Sequence, residues 1–87
     1  MKFTKANLTF AKKHNIDLDI DYNRGLVQLA LKGEEEPVIV YNLNTEKDEL
    51  FFKVQCYGEK IEDLLYWINT SKGLNELVKY ISKIENI

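Results

Sequence analysis

Reactive side chains are scarce in this sequence. It has one cysteine, one histidine, one tryptophan and one proline in 87 residues. Cys56 alone excludes an intramolecular disulfide and a four-cysteine zinc site, and His14 alone excludes a histidine cluster for zinc. The four glycines stand apart at 25, 33, 58 and 73, so no glycine-rich loop is available to cradle a phosphate. No apolar run approaches the ~18 residues that a membrane span needs. Lys2, Phe3, Thr4 and Lys5 follow Met1 without a long apolar stretch, so no secretory leader and a cytoplasmic location are expected. No metal, no cofactor and no catalytic residue are expected either. A pairing of Cys56 with His14 is set aside, because Cys56 is in phase with Leu50, Phe52 and Val54 on an inward strand face, where thiols are inert.

What is present is enough for one folded domain over residues 1–87. An apolar fraction of 45% against 30% charged residues excludes a disordered chain. The compact radius of gyration should be about 12 Å. Net charge is −2, which builds in no general attraction to nucleic acid, but the charges are unevenly placed. Residues 1–16 carry Lys2, Lys5, Lys12 and Lys13 and no acid. Residues 17–36 carry six acids against Arg24 and Lys32.

Hydrophobic period divides the chain into elements. Residues 4–15 predict a helix with Phe3, Ala6, Phe10 and His14 on one side and Lys5, Thr9 and Lys12 on the other. Residues 16–22 alternate apolar and acidic, as a half-buried strand does. Asn23-Arg24-Gly25 makes a hairpin loop, and residues 26–32 return as a second strand. Pro37 opens a third strand and residues 50–57 form a fourth. Ile61, Leu64, Leu65 and Ile68 then stand at offsets 0, 3, 4 and 7, and Leu74, Leu77, Val78 and Ile81 repeat those offsets. The break at residues 70–73 predicts two short helices. The expected fold is therefore α+β, a four-stranded antiparallel meander with one N-terminal helix and a C-terminal αα-hairpin, in the order α-β-β-β-β-α-α. One sheet face should collect Ile16, Leu18, Ile20, Val38, Val40, Leu50, Phe52, Val54 and Cys56. The other should carry the acids together with Ile39, Tyr41, Phe51 and Tyr57, and is too apolar to be wholly solvated.

Three groups of residues are candidates for a site. Asp17, Asp19 and Asp21 line one face of a strand about 6–7 Å apart, too extended for one cation. Tyr22 and Gln28 occupy the places where a calcium loop requires glycine and glutamate. The row protects a sheet edge, or it docks a basic partner. Trp67, Tyr66 and Tyr80 flank the helical stripes, where they either rim the core or form a partner hot spot. Phe51, Lys53 and Tyr57 on one strand, with Lys5 and Lys12 on the basic helix, are the candidates for stacking and neutralising a nucleic acid.

A protein partner is thus the expected ligand, with the chain acting as a non-enzymatic binding module. A nucleic-acid-binding accessory role is the alternative, and a homodimer of structural role is the second alternative. In size and style the chain is similar to phage-encoded inhibitors of bacterial enzymes or defence systems, anti-CRISPR proteins among them. The excess of lysine over arginine, eleven to one, suits the AT-rich codons of a low-GC genome or its mobile elements. That resemblance implies a protein that acts by occupying a partner's surface.

Overall fold

The computed structural model describes every residue except Met1, Glu59, Asp63 and Ile87. Its elements are α1 (Lys5–Lys13), β1 (Ile16–Asp21), β2 (Leu26–Leu31), β3 (Ile39–Asn44), β4 (Glu49–Gln55), β5 (Trp67–Ile68) and α2 (Ser71–Ile84). The strands form one antiparallel meander in the spatial order β1-β2-β3-β4-β5. The Cα radius of gyration is 11.6 Å, close to the value expected from chain length. No helix among the described residues is long and apolar enough to cross a membrane.

Both helices pack on the same sheet face. Ile16, Val27, Leu29, Ile39, Tyr41 and Leu50 are buried there in one cluster with residues of α1 and α2. The α2 stripe of Leu74, Leu77, Val78 and Ile81 is the one that the 0-3-4-7 spacing predicts. Thr70 caps this helix by accepting a hydrogen bond from the Gly73 amide at 2.9 Å. Gly73 is therefore inside the first turn of α2. A Cβ there would meet Thr70 Oγ1 at 3.0 Å and Ile68 Cγ2 at 3.1 Å.

The buried side of α1 differs from the expected one. Ala6 is exposed, and the stripe runs through Phe3, Asn7 and Ala11. Asn7 is fully buried yet satisfied. Its amide donates to the Ser71 carbonyl at 3.1 Å and to Asn75 Oδ1 at 2.9 Å, and its own Oδ1 accepts from the Thr4 amide at 3.0 Å. Near the other end of α1, Ser82 Oγ donates to the His14 carbonyl at 3.0 Å. These two fastenings make α1 and α2 run parallel.

The αα-hairpin is not formed. Ile61, Glu62 and residues 64–66 are irregular and lead to β5, which adds a fifth strand beside β4. Ile61, Leu64 and Ile68 are buried as a helical stripe would bury them. The backbone, however, finds side-chain partners in place of helical ones. Tyr41 donates to the Leu65 carbonyl and Tyr80 to the Glu62 carbonyl, both at 2.6 Å, and Gln55 Oε1 accepts from the Ile61 amide at 3.2 Å. An eight-residue helix is marginal on its own. Tyr66-Trp67-Ile68 favours a strand once the edge of β4 is open to it.

Two further corrections concern which face each residue takes. Ile39, Tyr41 and Leu43 enter the core, while Val38 and Val40 lie on the second face, the reverse of the expected β3 parity. Both parities of this segment are apolar, so its period leaves the face open, and pairing with Val27 and Leu29 decides it. A β-bulge then shifts the register of β4. Val40 pairs with Val54 and Tyr41 with Phe52, so Lys53 is the extra residue. Beyond it, Val54 turns to the second face. Cys56 lies past the strand end and is exposed, not inward.

Candidate functional site

Among the described elements, no helix packs on the second sheet face. Alternation along β1 sends Asp17, Asp19 and Asp21 to it while Ile16, Leu18 and Ile20 face the helices. Register carries this face across all five strands. One row runs Asp21, Leu26, Asn42, Phe51, Trp67, and the next runs Asp19, Gln28, Val40, Val54. Four inter-strand steps make the face about 19 Å wide. Its β1 edge is acidic and its β4–β5 edge is apolar.

The apolar edge is solvent-accessible. Trp67 is 51% exposed, and Phe51 and Val54 are each 42% exposed. The Trp67 indole N–H donates to Glu49 Oε2 at 3.3 Å, which fixes the ring beside Phe51. Leu65 and Tyr66, which precede β5, are exposed as well. Tyr66 also meets Phe52 edge-on, with centroids 5.2 Å apart. In the middle of the face Ala30, Val38 and Val40 are buried, while Gln28 and Asn42 reach solvent.

The acidic edge is partly engaged. Asp21 accepts from the Arg24 amide at 2.9 Å and from Arg24 Nε at 2.7 Å. Those bonds, the backbone one foremost, hold its carboxyl below the usual range. Asp17 Oδ2 accepts from the Gly33 amide at 3.3 Å. Asp19 is exposed and has no hydrogen-bond or ion-pair partner among the described residues.

The candidates from the sequence therefore distribute as follows. Trp67 and the Asp17–Asp19–Asp21 row, read as rival locations, share one face. Tyr66 stands at its border. Tyr80 does not belong to it. That residue is half-buried on α2, packs against the core and ties down residue 62. Phe51 is on the second face and Lys53, the bulge residue, is exposed beside it, but Lys5 and Lys12 are on α1, which packs on the other. Tyr57 lies beyond the end of β4, lining an open cavity of about 320 Å³ with Leu31, Glu34 and Glu36. Burial first, then Glu34, Glu85 and Glu36, push its hydroxyl pKa up. Those carboxylates repel phosphate. His14 stacks on Phe10 with centroids 4.6 Å apart, and nothing among the described residues joins it to Cys56. No group of three or more His, Cys, Asp or Glu residues among those described could hold a metal ion.

Two features escaped the sequence reading. Val54 joins the exposed patch only because of the bulge, which leaves no mark in the hydrophobic period. Glu49 orients the Trp67 indole across a strand pair that the helical reading of residues 61–68 concealed. When the chain is compared with protein-family models, with curated proteins and with solved structures, nothing matches.

Proposed function

We propose that this chain is a non-enzymatic protein-binding module whose docking surface is the β4–β5 side of the second sheet face. The observation that carries this reading is the gathering of Phe51, Val54, Leu65, Tyr66 and Trp67, all exposed, at one edge of the sheet. Of the other exposed large apolar residues among those described, Leu8 and Ile84 stand elsewhere, on the helices. A contiguous apolar patch with polar surroundings marks an interaction surface, and tryptophan and tyrosine dominate binding hot spots. Docking there would cover a partner's surface without chemistry, which is how an inhibitor or regulator encoded by a phage or other mobile element would act. The nucleic-acid alternative draws less support, because Lys5 and Lys12 are on α1, across the sheet from Phe51.

The experiment is capture of partners on immobilised protein, run in parallel with Trp67→Ala and with Leu8→Ala, an exposed apolar change remote from the face. The expected result is a partner retained by the parent and by Leu8→Ala and lost with Trp67→Ala. Retention by all three would refute the assignment of the patch.

A further inference from the structure

We infer that the occupant of the second face is a basic amphipathic segment of a partner protein, its apolar residues seated on Phe51, Val54 and Trp67 and its Lys or Arg residues reaching Asp17 and Asp19. This deepens the docking reading above and rests on it. The apolar patch says only that something binds. The charges on the same face say what it is. Among the described residues on or beside this face, Asp17, Asp19, Asp21 and Glu49 outnumber Lys32 and Lys53, since Arg24 is engaged with Asp21. A second copy of the chain stacked here would bring the same excess of acids toward its own. A nucleic acid would bring phosphates toward carboxylates. A cationic segment is the occupant that completes both ends at once. Between the ends, Gln28 and Asn42 stand in the rows that cross the face, so the middle of the segment meets side-chain amides that can hydrogen-bond with it. An acidic rim opposite a basic partner supplies specificity and speed of association, while the aromatic anchor supplies affinity.

Trp67 is the only tryptophan, so its emission reports on this surface directly. The probes are two synthetic peptides of about 16 residues, ~24 Å long if helical and so able to span the face. Both carry the same Leu- and Phe-containing half. The other half bears Lys and Arg in one peptide and Glu in the other. The basic peptide is expected to blue-shift the Trp67 emission and to bind about tenfold more tightly than the acidic one at low salt, as two rim ion pairs allow. The preference should shrink at ~0.5 M salt. Asp17→Asn/Asp19→Asn, shown by circular dichroism to keep its fold, should abolish the preference and keep the blue shift. If neither peptide shifts Trp67, the docking reading itself fails. If both shift it equally, or the double variant keeps the preference, the face docks a partner but the charge assignment is overturned. A blue shift that grows with protein concentration alone would assign the face to a second copy and overturn the proposal in that way.

Discussion

The two faces of this sheet are built from the same strands, residue by residue in alternation, and they have opposite fates. On the helix-covered face each apolar position is matched by a neighbour, and each buried polar side chain is bonded; no buried side-chain nitrogen or oxygen among the described residues lacks a partner. On the second face the strands end in carboxylates at one side and in half-exposed aromatic rings at the other. The first face carries the folding energy of a small domain. The rings of the second face, Phe51 and Trp67, keep about half of their surface in water, so burial holds them less firmly than it holds the residues under the helices.

The comparison breaks most visibly if the covered face is damaged. Leu77→Ala on α2 should lower stability by about 2–5 kcal/mol in denaturant unfolding, the cost of a buried cavity. A loss below about 1 kcal/mol would mean that α2 is loosely packed. Next comes the polar fastening between the helices. Asn7→Ala removes the group shared by the Thr4 amide, Ser71 and Asn75, and should cost about 1–3 kcal/mol. Asn7→Ser should not restore it, because the shorter side chain cannot reach both elements.

Alkaline titration sharpens the same contrast. Burial, and then the hydrogen bond to Asp48, push the Tyr22 pKa up to about 12, and burial raises that of Tyr41 as well. A tyrosine with a raised pKa favours folding while it is protonated. Its contribution is therefore complete below the ordinary value near 10 and is lost as pH rises from there toward 12. Stability measured across this window should fall, and Tyr22→Phe should reduce the slope. Absorbance at 295 nm should show Tyr22 and Tyr41 ionising above the ordinary tyrosine value near 10. The smallest effect belongs to the second face. Trp67→Ala should cost about 1 kcal/mol or less, the worth of a cross-strand pair, with helix content unchanged.

The sequence made the strongly periodic parts legible. The alternation of Ile16 through Asp21, the stripe of α2 and the acidic row were read correctly because one face of each is polar. Where polarity gives no contrast, the reading failed for a physical reason. Val38 to Tyr41 are apolar on both parities, so only pairing with β2 sets their face. Ile61, Leu64 and Ile68 are buried at helical spacing, but Tyr41, Tyr80 and Gln55 satisfy that backbone from a distance, and no local period encodes such long-range bonds. Asn7 is polar and was left off the buried side of its helix, since a network joining residues 7, 71 and 75 cannot be seen from residue 7 alone. The candidate surface was half legible. Trp67 and the aspartates were singled out, but their common face depended on a strand, β5, that was read as helix.

Adjacent residues on one strand test the account's central claim without confounding position with element. Leu50 is fully buried against the helices, and Phe51, the next residue, faces the other way. Denaturant unfolding of Leu50→Ala and Phe51→Ala, measured side by side, separates the faces. The account predicts a loss of about 2–5 kcal/mol for Leu50→Ala and about 1 kcal/mol or less for Phe51→Ala, although phenylalanine is the larger side chain. Equal losses would contradict it, because the second face would then be a core in its own right and its aromatic rings would be there for folding.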